Sequence, residues 1–425
     1  MRRIALIVGT LWLVASSARA EGPGVRLGEA LVLHPGLAIG SGYDSNVFYA
    51  SGQASDNVQG SFYVNLRPAI DLATTAGNIR GEGLRHAFDF RLHAGTSLRF
   101  LTSSDSNIAQ HYGIGIEAGA TMALAPNSWF GLDLYDNFGR SSEPPYGITR
   151  TLGNISQDNN QAGVRMRFTP GGRRLEVSPQ YVLGAQIFEN PEFVDKNYLT
   201  HDFSLRISWK FFPKTALVLQ AQEQMVRYLN VGPNTPPDSY PFRTTLGLAG
   251  LITPVLSLTA GLGYGNSFTG SSAAYGLVNS YNNIVGNLGV SWKPLLFTGF
   301  SASYAHDFSQ AVVGAYANTD SVTLGIAQGI WRFPLTIRVG WDHRAYQGNL
   351  MADFQVNNSS NPRVDDLITA AVQIDFPLKD WLFISLNDTL QKNYSTCAFI
   401  SNGVPSALAC SYFRNDATLR INVAY

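Results

Sequence analysis

The stretch Tyr412–Tyr425, YFRNDATLRINVAY, alternates with period two. Phe413, Ala417, Leu419, Ile421, Val423 and Tyr425 fall on one face, and Arg414, Asp416, Thr418, Arg420 and Asn422 on the other. Successive side chains of a strand point to opposite sides, so this is one edge-on view of a sheet that is greasy on one face and wet on the other. Residues 199–211, LTHDFSLRISWKF, repeat the pattern: Leu199, Phe203, Leu205, Ile207, Trp209 and Phe211 oppose Thr200, Asp202, Ser204, Arg206, Ser208 and Lys210. Phe62, Val64, Leu66, Ile70 and Leu72 likewise oppose Tyr63, Asn65, Arg67 and Asp71. His201 and Asn415 are the exceptions on the apolar faces.

A soluble sandwich alternates too, but its strands usually run about 5 to 6 residues. These run about 10 to 14 by the same reading, the length a tilted strand needs to cross a bilayer. In lipid every backbone amide must be paired, so strands span only as a closed barrel without free edges. The predicted fold is therefore all-β, a closed antiparallel transmembrane barrel. Eighteen strands are expected, at 34–43, 60–72, 85–101, 110–124, 128–140, 158–168, 174–188, 198–210, 215–228, 243–252, 255–267, 281–292, 296–308, 317–331, 335–346, 366–377, 380–392 and 412–425. A count of sixteen follows instead if 85–101 or 317–331 divides differently, or if the first strand is a plug segment. Tight connections (Pro126-Asn127, Pro170-Gly171-Gly172, Pro213-Lys214, Lys293-Pro294) alternate with long polar ones near 44–59, 141–157, 229–242, 347–365 and 393–411. Outer-membrane barrels place short turns on the periplasmic side and long loops outside.

Composition fits this class and disfavours others. Charged residues make up 14% of the 425, against roughly 25% in soluble domains. Thirty basic and thirty acidic side chains leave no field to attract nucleic acid. A mean hydropathy of −0.02 excludes a bundle of apolar helices. Arg2 and Arg3, the apolar run Ile4–Val14 and Ala18-Arg19-Ala20 read as a signal peptide over 1–20, cleaved after Ala20, with 21–33 a short periplasmic segment before a barrel over 34–425. Loss of Arg2, Arg3 and Arg19 leaves 27 basic against 30 acidic groups. Cys397 and Cys410 share one loop of an exported chain and are expected to form a disulfide, two free thiols being the alternative.

Interfacial aromatics keep a ring in apolar surroundings and a polar tip wet. Trp129, Trp209, Trp292, Trp331 and Trp381 lie beside expected short turns, and Tyr43, Tyr49, Tyr198, Tyr228, Tyr281, Tyr346, Tyr394 and Tyr412 near ends that feed long loops. Two girdles are predicted, one at each rim.

The terminal residues Leu419, Ile421, Val423 and Tyr425 resemble the C-terminal signal of outer-membrane barrels, which implies the barrel-assembly machinery as a partner. The segment His34-Pro35-Gly36-Leu37-Ala38-Ile39-Gly40, continuing Gly42-Tyr43-Asp44-Ser45-Asn46-Val47-Phe48, resembles the opening of the β-barrel porin type 2 family. It is also similar to barrel proteins of myxobacterial exopolysaccharide export systems. This implies an outer-membrane conduit in a Gram-negative bacterium.

Projecting the polar faces inward gives a predicted pore lining of Arg67, Arg91, Arg165, Arg167, Arg206, Lys210, Arg338, Arg344, Arg414 and Arg420 with Asp71, Asp89, Asp133, Asp202, Asp342, Asp375 and Asp416. Gln220, Gln222 and Gln224 on one strand and Asn387, Thr389 and Gln391 on another add neutral hydrogen-bonding groups. Such a mixed, slightly cationic wall suits hydroxyls and weak polyanions, though any wet barrel needs polar inward residues.

Enzymatic motifs are not found. His306-Asp307 and Asp342-His343 are adjacent on strands, so each pair points to opposite faces and cannot act as base and orienter. Gly261, Gly263 and Gly265 have no helix after them and read as strand glycines. His86, His93 and His111 read as strand surface residues. There is no Gly-x-Ser-x-Gly elbow and no His-Glu-x-x-His zinc motif. The expected protein is a non-enzymatic conduit, without metal or cofactor, monomeric, embedded in outer-membrane lipid. It would export an exopolysaccharide with a periplasmic polysaccharide-export protein and an inner-membrane partner. A diffusion porin for small solutes and an adhesion barrel acting through its loops are the alternatives.

Overall fold

The computed structural model describes residues 23–28, 30–52, 58–74, 88–103, 105, 108, 112–143, 155–232, 235–272, 276–312, 314–348, 363–396, 399–401, 404–406 and 410–425. One antiparallel sheet of nineteen strands dominates it. The three-residue strand Val25–Leu27 is an appendage on its neighbour; the other eighteen form the wall.

In chain order they are β1 (Leu31–Asp44), β2 (Ser61–Thr74), β3 (Phe88–Leu101), β4 (Gly113–Leu124), β5 (Phe130–Ser141), β6 (Gln157–Phe168), β7 (Leu175–Phe188), β8 (Tyr198–Phe212), β9 (Thr215–Tyr228), β10 (Phe242–Thr253), β11 (Leu256–Asn266), β12 (Asn282–Leu295), β13 (Thr298–Gln310), β14 (Tyr316–Ile330), β15 (Phe333–Gln347), β16 (Val364–Lys379), β17 (Leu382–Ser395) and β18 (Tyr412–Ala424). Each pairs with the next in sequence. β18 then pairs with β1 from Gly36↔Ala424 to Asp44↔Asp416, which closes the cylinder. The Tyr425 amide donates to the Pro35 carbonyl at 3.0 Å and continues this seam. The strand count is eighteen, as the alternation predicts.

The connections alternate in length. At one rim the chain reverses within a few residues: at 169–174, Gly171 and Gly172 hold φ of 63° and 70°, a left-handed conformation that a Cβ would strain. At the other rim most connections are longer, although 311–315 there is short and 75–87, at the first rim, is long. Apolar side chains of one face look outward and are exposed around the whole cylinder, as at Phe62, Phe203, Leu262, Ile326, Leu386 and Leu419.

The buried apolar clusters do not lie inside the wall but at the long-loop rim. Ile155, Phe188, Phe193, Ala311, Ala317, Tyr346 and Cys410 form one cluster. Val278, Tyr281, Val285, Phe308, Ala315 and Tyr316 form a second, and Val47, Tyr63, Leu101 and Ile108 a third. The first draws on connections 142–156, 189–197, 311–315 and 396–411, which leave the wall at widely separated strands, so these loops meet over the outer mouth.

Candidate functional site: the lumen and its outer mouth

Which face is enclosed follows from contacts between strands that are not neighbours. Glu143, just beyond β5, lies 3.9 Å from Arg414 of β18 and 3.9 Å from Arg99 of β3. Only groups that look inward meet across so many strands. Arg414 shares its face with Asp416, Thr418 and Arg420, so the polar face lines the interior.

Register carries this assignment round the wall, because residues directly opposite one another share a face. Arg67 pairs with Ala38, and Arg420 with Gly40, beside Arg414 and Asp416 on β18. Asp71, Asp89 and Arg91 fall on the same face of β2 and β3. Asp133 faces Arg165 across β5 and β6, with Arg167 one step on. Asp202, Arg206 and Lys210 of β8 stand opposite Gln224, Gln220 and Ala216 of β9, with Gln222 between. Arg338, Asp342 and Arg344 of β15 stand opposite Ala371, Leu367 and Asp365 of β16. Asp375 faces Ser385, and Asn387, Thr389 and Gln391 continue that face of β17.

At the outer end the polar residues condense into an ionic cluster. The Arg414 guanidinium donates to both Asp44 carboxylate oxygens at 3.0 and 2.8 Å, to Asp416 at 3.2 Å and to the Tyr49 hydroxyl. Arg99 donates to Asp44 at 2.8 Å and lies 3.2 Å from Asp416. Tyr63 donates to Asp416. Small residues on β1 make room: a Cβ at Gly40 would lie 2.5 Å from Cγ of Arg420, and one at Gly42 2.6 Å from the Tyr63 ring. The segment 34–48 thus sets Gly36, Ala38, Gly40 and Gly42 under the side chains of its neighbours and presents Asp44 at the top. Asn46 then folds the chain inward, its amide donating to the Ala50 and Phe413 carbonyls at 2.8 and 2.9 Å.

Elsewhere on the inner face, Arg243 donates to Asp307 at 2.8 Å, and Ser385 and Gln373 donate to Asp375. Above the wall, Arg363 pairs with Asp365 at 2.6 Å, fully buried. Lys196, in the short 3-10 helix Pro191–Lys196, is buried as well, and burial lowers its pKa to about 8 despite nearby Asp195. The hydrogen bond from Arg140 holds Glu189 below the usual carboxylate range.

Two expectations are corrected. The outer tyrosine girdle does not have the expected members: of the eight, Tyr43 and Tyr394 are exposed, but Tyr49, Tyr281 and Tyr346 are buried at the mouth, while Tyr112, Tyr240, Tyr264 and Tyr304 are exposed instead. Tyr198 packs edge-on against Tyr228 at 5.7 Å, and Tyr412 against Tyr49 at 5.1 Å. Their height follows from the strand ends, but Tyr198, Tyr228, Tyr346 and Tyr412 share the inward face with the polar residues an even number of places along their strands. By contrast Trp129, Trp209, Trp292, Trp331 and Trp381 are all exposed at the short-turn rim. Second, His93 is not a plain surface residue: it stands on the enclosed face, 2.9 Å from Asp71 and 3.5 Å from Glu117. His86, His111, Cys397 and residues 1–22 lie outside the described residues.

The neighbours in His306-Asp307 and Asp342-His343 take separate partners. His306 binds Asp320 at 2.7 Å and His343 binds Asp366 at 2.9 Å, whereas Asp307 holds Arg243 and Asp342 accepts from Ser321 at 2.6 Å. Asp44, Arg99, Glu143, Arg243 and Asp307 stand outside the lining expected from sequence, although Arg99 has the parity of Arg91 and Arg243 that of Thr245.

A closed antiparallel cylinder of eighteen long strands, apolar outside and charged within, defines an outer-membrane β-barrel of the Gram-negative type, wide enough to hold a water-filled interior. No family model and no curated protein matches this chain. Similar solved structures include the siderophore receptor PirA from Pseudomonas aeruginosa, at 9% identity over 92% of this chain and 80% of that one, with a TM-score of 0.45. Another is the FrpB iron transporter from Neisseria meningitidis, at 9% identity over 92% of this chain and 81% of that one, with a TM-score of 0.47. These likenesses concern barrel architecture alone.

Proposed function

We propose that this barrel is the outer-membrane conduit through which an exopolysaccharide leaves the cell, delivered by a separate periplasmic polysaccharide-export protein and an inner-membrane partner. It performs no chemistry of its own. The observation that supports this reading is the packing at the mouth: one buried apolar cluster joins Ile155, Phe193, Ala311 and Cys410 from four connections, and Asp44 pairs with Arg99 and Arg414, which Glu143 approaches. A diffusion porin for small solutes needs a standing opening; an exporter needs one only while polymer passes. Gln220, Gln222, Gln224, Asn387, Thr389 and Gln391 offer donors and acceptors suited to sugar hydroxyls. The resemblance of residues 34–48 to barrels of exopolysaccharide export points the same way.

Deleting the gene tests this: surface polysaccharide should vanish while uptake of small solutes is unchanged. Intact polymer with reduced permeability would instead identify a porin. Normal polymer and permeability, with loss of partner binding on trimming the loops, would identify an adhesion barrel.

A further inference from the structure

The arginines of the inner wall differ in whether a carboxylate reaches them, and Arg165, although it stands opposite Asp133, has a buried Nε without an acceptor. Near the outer mouth Arg99, Arg243 and Arg414 each have a carboxylate at 2.8 Å. Near the periplasmic ends Arg167 lies 3.7 Å from Asp133, and Arg91 lies 3.9 Å from Asp71. Between these tiers, Arg67 of β2, Arg206 of β8, Arg338 of β15 and Arg420 of β18 occupy the middle stretches of their strands. Among the described residues none of the four has a carboxylate within 4.0 Å. Arg67 donates to the neutral Asn65 side chain at 3.2 Å, and the buried Nε of Arg420 has no acceptor.

The other carboxylates of the inner face stand farther off: Asp44, Asp202, Asp342 and Asp416 lie toward the outer ends of their strands and Asp71 and Asp89 toward the periplasmic ends, whereas Asp375 is level with Arg420 through Ser385, and Glu117 stands opposite Gly95 in mid-strand. Arg67 and Arg420 flank one strand, β1, whose inward residues there are Ala38 and Gly40. Like charges set side by side with no carboxylate in contact raise the potential of the space they face and draw in anions. Guanidinium groups suit carboxylate, sulfate and phosphate, which accept two parallel hydrogen bonds from the planar fork.

We propose that Arg67, Arg206, Arg338 and Arg420 form a mid-lumen ring that binds a polymer carrying carboxylate, sulfate or phosphate groups. This rests on the conduit reading and specifies its cargo as anionic. Positions spread around the wall engage successive charged units of one chain, which a single small anion cannot do.

The purified full-length barrel, its folding checked by the mobility shift between heated and unheated samples in SDS gels, is titrated with hexagalacturonate, neutral maltohexaose and sodium sulfate. Hexagalacturonate should bind at about 0.01 M salt and weaken strongly toward about 1 M, where the screening length falls from about 30 to about 3 Å. Maltohexaose should not bind, and sulfate should bind at least tenfold more weakly than the hexamer. The combined Arg67→Gln, Arg206→Gln, Arg338→Gln and Arg420→Gln variant should lose about a hundredfold in affinity for the hexamer, at about 1.4 kcal/mol per factor of ten. Lysine at the same four positions keeps the charge and should retain binding within about tenfold. Equal binding of maltohexaose, sulfate as tight as the hexamer, an unaltered glutamine variant, or no binding by the natural protein at low salt would each overturn the proposal. Failure here is distinct from failure of the conduit reading, which surface polymer in the deletion strain decides.

Discussion

Replacing Arg414 by Met tests whether the ion cluster holds the mouth. The change keeps most of the apolar stem and removes the guanidinium that joins Asp44, Tyr49 and Asp416. Asp44 is 1% exposed, so it would be left in a dry site with one cation, Arg99 at 2.8 Å, in place of two. Removing one partner of a buried pair costs about 3 to 5 kcal/mol. The surviving Arg99 contact puts the expected loss at the lower end, about 3 kcal/mol, or roughly a hundredfold in the local opening equilibrium. The amides of Asn46 and Ala50 report it: the first donates to Asp44 and the second to the Asn46 side chain. In lipid vesicles both should exchange with deuterium about a hundredfold faster, while mid-strand amides of β14 and β15 are unchanged. The double variant with Asp44→Asn should cost less than the two single changes added, because the stranded carboxylate is gone. Acceleration at Asn46 and Ala50 of less than about fivefold, under about 1 kcal/mol, would refute the idea that this cluster locks the loops.

Further outcomes follow from the same structure. Lys196 has a folded-state pKa of about 8 against an ordinary 10.5, so the undocked loop binds more protons between those values; docking of 189–197 should strengthen as pH rises through that window, and Lys196→Met should abolish the dependence. Limited proteolysis of this loop reads it, and a flat pH profile in the natural chain would contradict it. Ile337→Arg places a charge on the outer wall and should cost about 2 to 4 kcal/mol in vesicle unfolding, whereas Thr336→Arg on the inner face should cost far less; equal effects would reverse the assignment of faces. Removing the connection 142–156 should convert a silent barrel into a conducting one in planar bilayers, and continued silence would mean that the mouth is closed by other loops. A Cys397–Cys410 bridge should block thiol labelling until reductant is added, its loop contributing about 3 kcal/mol; labelling without reductant would show two free thiols.

The wall was legible because period-two alternation is imposed locally, by lipid on one side and water on the other, at every strand. Leu419 and Arg420 declare their faces without reference to any other part of the chain. The mouth was not legible for the opposite reason. Glu143 meets Arg414 over four intervening strands, and Ile155 meets Phe193, Ala311 and Cys410 from loops far apart in sequence. No local period encodes such meetings. The tyrosines show where the boundary falls: their height near the outer rim follows from strand ends, but whether a ring faces lipid or packs under a loop depends on where that loop lies. Outward polar groups were underestimated in the same way. Asp320 and Asp366 are tolerable on the outer face because His306, Tyr304, His343 and Trp341 from neighbouring strands bond to them.

Separating the wall from the mouth has a mechanical consequence. The wall satisfies its own backbone through a ladder that closes at β1 and β18, so its integrity does not require an apolar interior. The buried clusters at the rim are held by side chains of the loops and by the upper ends of strands. They can therefore come apart one at a time while the cylinder stays intact, and each is small enough for a local rather than global opening. The arginine ring lies below them and is in place whether or not the loops part. On the proposed export function, an anionic polymer rising from the periplasm would meet the mid-depth arginines before it reached Arg99 and Arg414, which Glu143 approaches at 3.9 Å. Carboxylates of such a polymer would compete with Glu143 for those two guanidinium groups, which a neutral chain would not do.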